Sequence, residues 1–274
     1  MARWRKVKNL KGEKMITENS LKKGAIKKIN HRTKDPKWYE NHAKSLGELY
    51  EKGERYFEFD TFKSSDNIIF AFHPPDDINN WHENINFGGK EINNNLSSKD
   101  FQSFEINNIS DKPLEISTLR DFVNFARDKE DVVYFIEPKN GGVSIIIDYL
   151  MQNNIDSQCW LLSFDKYLLK RALRYSKLRW EKEIKTNFIA VNPFCLLGKV
   201  EFFDFTGITL GFDKDNYTIN QWNVWRKKVL QEKIIRLKES GVEVMAGWIN
   251  SQEDKRWCEE MGISHCFTDK PEIF

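Results

Sequence analysis

The feature that most restricts this chain is an alternation of short apolar runs with longer helix-period segments, which occupies its second half. "TLRDFVNFARDKE" (118–130) reads as a helix and "VVYFIEPK" (132–139) as a strand, followed by a helix near 143–153, the strand "CWLLSF" (159–164) and the helix "DKYLLKRALRYS" (165–176). Then come "NFIAVN", "GITLGF", a long helix from about 221 to 240, the strand "VEVMAGWIN", a helix from about 252 to 261 and "HCFTDKP". Strands separated by helices of about ten or more residues pair in parallel, because a parallel neighbour is reached only through a long crossover. This many repeats predicts an α/β fold, a closed (β/α)8 TIM barrel, and 274 residues suit one.

Before the alternation, "GAIKKINHR" (24–32) predicts the first strand, "ENHAKSLGELYEKG" (40–53) a helix stopped by glycine, and "YFEFDTF" and "NIIFAFH" two further strands. That makes nine candidate strands for eight places, and one of "NFIAVN" and "GITLGF" is expected to lie outside the barrel. Residues 74–113 are rich in Asn, Gly, Pro and Ser and lack periodicity, so a long loop or small insertion with a lid-like role is expected after the third strand. The absence of a fixed repeat excludes a solenoid or propeller. With 40% hydrophobic and 14% aromatic residues the chain can build a large core, which excludes general disorder.

Charge is unevenly placed. Residues 1–34 carry twelve Lys or Arg against two Glu, +10, which leaves −8 for the other 240 in a chain of net +2. A basic arm over 1–24, ahead of a barrel over 25–274, reads as a solvated tail that can also touch an anionic surface, nucleic acid or lipid. No apolar run reaches the core of a signal peptide or the roughly 18 residues of a membrane helix, so a cytoplasmic protein without a transmembrane segment is expected. The cysteines (159, 195, 258 and 266) are far apart and form no Cys-x-x-Cys pair, which points to reduced, buried thiols rather than zinc ligands or disulfides. Composition leaves the oligomeric state open.

The chemistry gathers at strand ends. Glu58 and Asp60 stand two apart in a strand and therefore share a face. Two carboxylates in a low-dielectric interior repel unless a proton or cation lies between them. Glu137 ends another apolar strand, with Lys139 two residues on. Three convergent carboxylates suit one hard divalent cation, Mg²⁺ or Ca²⁺. His31 and His73 end strands and can move protons near neutral pH, while Arg32 can grip a phosphate. Together these residues form a constellation for metal-assisted phosphodiester cleavage. His42 and His82 are read as surface residues, His265 as a structural residue at a strand start, and Asn140-Gly141-Gly142 as a turn.

In their order these motifs resemble the glycerophosphodiester phosphodiesterases. His31-Arg32-Thr33, Glu40-Asn41-His42, Glu58-Phe59-Asp60, His73-Pro74, Ile116-Ser117-Thr118-Leu119 and Glu137-Pro138-Lys139 match, in sequence, that family's His-Arg-Gly, Glu-Asn-Thr, Glu-Leu-Asp, His-Asp, Ile-Pro-Thr-Leu and Glu-Ile-Lys segments. "LLSFD", "GWIN" and "FTDKP" are similar to its later segments, so the resemblance covers about 25–274. It implies His31 and His73 as the acid/base pair, Glu58, Asp60 and Glu137 as metal ligands, Arg32 and Lys139 as phosphate contacts, and Trp248 at the substrate mouth. It also implies a small phosphodiester or lysophospholipid substrate. Thr33 in place of Gly, Pro74 in place of Asp and an altered following loop depart from the pattern, which bears on substrate more than on reaction. The alternatives are a sphingomyelinase D-like phospholipase forming a cyclic phosphate, or a non-catalytic barrel binding an anionic partner. No basic stripe with interleaved aromatics runs through the barrel segments, which weakens a nuclease reading.

Overall fold

The computed structural model describes residues 26–35, 40–74, 85–106, 115–191, 204–211 and 227–274. The basic arm, His82 and Cys195 lie outside the described residues. Eight parallel strands close into a barrel: β1 (Lys27–Asn30), β2 (Tyr56–Lys63), β6 (Val133–Pro138), β7 (Cys159–Ser163), β8 (Lys185–Ala190), β9 (Gly207–Gly211), β10 (Glu243–Gly247) and β11 (His265–Thr268). Closure runs through β1, which pairs with β11 on one side and with β2 on the other. The outer helices are α1 (Lys44–Glu51), α3 (Leu119–Ala126), α4 (Val143–Gln152), α5 (Lys166–Trp180), α6 (Lys227–Glu239) and α7 (Gln252–Met261).

The (β/α)8 barrel agrees with the sequence reading, and one detail of it is corrected. Both "NFIAVN" and "GITLGF" contribute barrel strands, β8 and β9. The ninth strand is β3 (Ile69–Ala71), which pairs antiparallel with β2 and so lies outside the parallel set. Its direction has a simple cause: residues 64–68 are far too few for a parallel crossover, which needs about a dozen or more, but suffice for a hairpin.

Strand periodicity divides the core. Ile29, Phe135, Trp160, Leu162, Ile189, Met245 and Phe267 fill the barrel interior in one cluster. Alternate residues such as Phe59, Tyr134, Ile136 and Leu161 face the helices in a second, larger cluster. Helix ends are fixed locally: Asp165 accepts the Tyr167 N–H at the start of α5, and Ser251 accepts that of Asp254 at the start of α7. Gly262 ends α7 at φ 70°, in the left-handed region where a Cβ is penalised.

The insertion has its own small core. Phe62, Phe70 and Phe72 from the β2–β3 hairpin pack with Phe101 of α2 (Ser98–Gln102) and with Phe104, beside the short pair β4 (Ile85–Asn86) and β5 (Glu105–Ile106). Each buried Phe contributes about 1.5–3 kcal/mol, so this part of the insertion is anchored against the barrel rim. Cys159, Cys258 and Cys266 are buried free thiols, as expected of them.

Candidate active site

Strand register brings the carboxylates together. Asp60 on β2 lies directly opposite Glu137 on β6, and Glu58 precedes Asp60 by two residues on the same face. One oxygen from each of Glu58, Asp60 and Glu137 falls within 4.8 Å of the others, and all three side chains are buried at the C-terminal mouth of the barrel. Hard oxygen donors in this number suit Mg²⁺ or Ca²⁺.

Two cations stand against them. Lys139 Nζ lies 2.9 Å from both Asp60 Oδ1 and Glu137 Oε1. Arg32 Nε lies 3.1 Å from Asp60 Oδ2, and its Nη1 donates to Glu40 Oε1 at 3.1 Å. Three carboxylates at the centre against two cations leave a negative balance, which a divalent ion would offset. The consequences differ by residue. Burial pushes Glu58 well above the usual carboxylate range, with Asp60 and Glu137 adding to the rise. Burial raises Glu137 too, against the pull of Lys139. Burial acts on Asp60 in the same sense, but Lys139 and Arg32 outweigh it and hold Asp60 below that range.

His31 lies in a turn of 3₁₀ helix (His31–Thr33) immediately after β1. Its Nδ1 is 2.8 Å from Asp269 Oδ1, and the Trp248 indole donates to its Nε2 at 2.8 Å. An indole nitrogen only donates, so Nε2 is the lone-pair nitrogen and Nδ1–H donates to Asp269. The ring is thereby held as one tautomer, 3.7 Å from Glu58 Oε2. Burial lowers the His31 pKa, partly opposed by the Asp269 hydrogen bond, and keeps the ring neutral near pH 7. Asp269 is itself fixed by Asn250, which donates to its Oδ2 at 3.1 Å and accepts its backbone N–H at 2.9 Å.

His73 reaches the same end of the barrel by a different route from the one expected. It follows the antiparallel return strand β3, not a barrel strand, and the Phe72 N–H donates to the Asp60 carbonyl at 3.0 Å. That bond ties the chain just before His73 to the carboxylate strand, and His73 lies close enough for its charge to lower the Asp60 pKa. His73 Nδ1 lies 2.6 Å from the Pro74 carbonyl and donates to it, so Nε2 is the nitrogen at which the ring can carry or release a proton.

Backbone strain concentrates here. Arg32 and Thr33 have φ of 53° and 47°, and Asn41 has 58°. For a β-branched, buried Thr33 this is an outlier, and its buried Oγ1 has no hydrogen-bond partner among the described residues. The turn aims the Arg32 N–H at Glu58 Oε2, 2.8 Å away. Asn41 accepts the Asp60 N–H at 2.9 Å through Oδ1.

Two sequence expectations need revision. His42, read as a surface residue, is buried, with Nε2 3.2 Å from the Glu115 carbonyl and Nδ1 accepting the Lys44 N–H. Asp269 is a site residue that sequence reasoning misses, although its signal is present: an acidic residue directly after β11, as His31 directly follows β1.

Among solved structures the chain is similar to a protein from Silicibacter pomeroyi assigned as a glycerophosphoryl diester phosphodiesterase (TM-score 0.71, 14% identity, 93% of this chain and 94% of that one). It is also similar to a glycerophosphodiester phosphodiesterase from Thermotoga maritima (0.63, 17%, 92% and 97%). The fold is that of the glycerophosphodiester phosphodiesterases. A third such match is an Oleispira antarctica phosphodiesterase in complex with its product sn-glycerol-3-phosphate (0.64, 18%, 90% and 94%). No family model matches the sequence, and no curated protein matches it. Against the motif pattern of the glycerophosphodiester phosphodiesterases, the strained Thr33 is the residue that replaces glycine; like Arg32 before it, Thr33 has a positive φ, where glycine costs least.

Proposed function

We propose that the chain is a metal-dependent phosphodiester hydrolase that cleaves a glycerophosphodiester into an alcohol and glycerol phosphate. The observation that carries this reading is the convergence, at one barrel mouth, of a buried Glu58–Asp60–Glu137 cluster with a histidine locked by Asp269. In this reading residues 25–274 serve as the catalytic barrel, with 74–113 in a lid-like role. The three carboxylates would hold one divalent cation, Mg²⁺ or Ca²⁺, whose contribution when bound is to polarise a non-bridging phosphoryl oxygen.

The protein's own groups do the rest. Arg32 and Lys139 place positive charge where the phosphate's negative charge grows, in a site already dry enough for such charges to act strongly. His31, neutral and with its lone pair on Nε2, takes the proton of the attacking water once that water displaces the Trp248 N–H. His73 gives a proton to the leaving alkoxide, so that one water is consumed and the proton count closes. The Trp248 indole, freed from His31, lines the mouth where the alcohol leaves.

The test is ³¹P NMR of products from a panel of glycerophosphodiesters and lysophospholipids, with wild type, His31→Ala and His73→Ala. Each variant should lose at least ~10²-fold in turnover. Chelation should abolish turnover, with Mg²⁺ or Ca²⁺ restoring it. Near-normal turnover by both variants, or full turnover by the chelated protein, would sink the reading.

A further inference from the structure

Helix α5 carries a surface that the site does not use. Its fifteen residues, "KYLLKRALRYSKLRW", include six Lys or Arg and no acidic residue. At about 100° per residue, Lys166, Lys170, Arg171, Arg174 and Lys177 fall within one arc of about 140°. All five are exposed, whereas Leu169, Ala172 and Ser176 on the opposite side are buried against the barrel. Lys170 lies 3.5 Å from Asp204 and Lys177 lies 2.6 Å from Glu183. Lys166, Arg171 and Arg174 have no acidic partner among the described residues, and Lys166 instead sits over the Tyr167 ring at 5.2 Å.

The same arc holds two large apolar side chains. Tyr167 is 66% exposed and Leu178 is 75% exposed, one near each end of the helix. Phe164, 44% exposed, extends this edge to the barrel mouth, where it stacks parallel to Trp248 at 6.5 Å. A helix face that combines unpaired cations with protruding apolar groups has two unmet demands, an anionic partner and a non-aqueous one. A polyanion such as nucleic acid meets only the first. An anionic bilayer surface meets both, since its headgroups attract the cations and the boundary beneath them accepts the apolar groups.

We infer that α5 docks this protein flat on an anionic lipid bilayer, with the mouth edge at Phe164 and Trp248 held at headgroup level. The α5 residues changed in the test are separate from those assigned to catalysis, so the vesicle-binding test does not depend on the phosphodiesterase reading. Full-length protein is sedimented with phosphatidylcholine vesicles, with and without phosphatidylserine, at increasing salt. Wild type should partition onto the phosphatidylserine vesicles alone, and salt should weaken it. The triple variant Lys166→Gln/Arg171→Gln/Arg174→Gln should bind on the order of 100-fold more weakly, at about fivefold per cation, with an unchanged melting temperature because all three residues are exposed. Leu178→Ser should bind severalfold more weakly, which a purely electrostatic contact would not show.

Unchanged partitioning of the triple variant would overturn the inference and assign any binding to the N-terminal basic residues. Wild-type levels of binding by Leu178→Ser, or α5-dependent binding of duplex DNA without vesicle binding, would overturn the lipid as its occupant. If α5 is the docking face, then on the phosphodiesterase reading the triple variant should also turn over a soluble glycerophosphodiester at the wild-type rate while losing turnover of a lysophospholipid carried in the phosphatidylserine vesicles. That split separates failure of docking from failure of catalysis.

Discussion

The two ends of the barrel each hold a histidine bound to a carboxylate. At the mouth, His31 Nδ1 lies 2.8 Å from Asp269; at the base, His265 Nδ1 lies 2.9 Å from Glu243 and 3.0 Å from Ser264 Oγ. Both rings are buried, and both meet an aromatic edge-on, Trp248 for His31 and Tyr56 for His265. The pair by itself is therefore no mark of a site. What differs is the surroundings. His31 adjoins three buried carboxylates, two half-buried cations and strained backbone, whereas His265 adjoins Tyr56 with Lys27 Nζ 5.2 Å from the Tyr56 ring. Barrel strands converge their C-terminal ends on the mouth, so groups from several strands accumulate there; the base plugs and stabilises.

The sharpest way to break this comparison is to disturb both pairs alike. Asp269→Asn can present an amide N–H to His31 Nδ1 and so favour the wrong tautomer, and turnover should fall by about 10²-fold or more, as when a histidine loses its orienting carboxylate. Loss confined to kcat, with the melting temperature nearly unchanged, would mark Asp269 as a positioning residue. His265→Ala should do the opposite, leaving turnover within a factor of a few and costing about 1 kcal/mol of stability in a denaturant titration. Equal effects of the two on turnover would erase the distinction between the ends.

A second contrast concerns pH. Because the Glu58 pKa is raised in the folded protein, its protonated form is favoured on folding; its contribution is present below the ordinary glutamate range and lost as pH rises through the raised value. Metal-free Glu58→Gln should therefore be more stable than wild type at neutral pH, by about 1 kcal/mol or more, with the gap closing in acid. Mg²⁺ or Ca²⁺ should raise the melting temperature of wild type more than that of the variant. A variant that melts below wild type at pH 7 without metal would show that the carboxylate repulsion is already relieved. Smallest of all, Thr33→Gly should relieve the left-handed strain and the orphaned hydroxyl and stabilise by about 1 kcal/mol, measured the same way.

Legibility in the sequence followed the kind of information each residue needed. Glu58 and Asp60 were readable together because a strand repeats every two residues, and Glu137 because an apolar strand that ends in a carboxylate is conspicuous. His73 was nominated, but its strand was misplaced, since an apolar run looks alike in either direction and only the short 64–68 connection reveals the hairpin. His42 is missed because 40–43 read as the start of a helix, whereas α1 begins at Lys44 and His42 is buried with its Nε2 3.2 Å from the Glu115 carbonyl, a contact 73 residues away along the chain. Asp269 stands 238 residues from His31, and nothing local to either announces the bond.

By itself, then, the sequence determined the alternation that closes a barrel and the residue types at its strand ends, because periodicity and crossover length are properties of neighbours along the chain. Only the tertiary structure decided which strand returns antiparallel, which histidine Asp269 orients, and where Lys139 and Arg32 meet the carboxylates. Those are matters of register and closure, set when β1 pairs with β11 and the first strand meets the last.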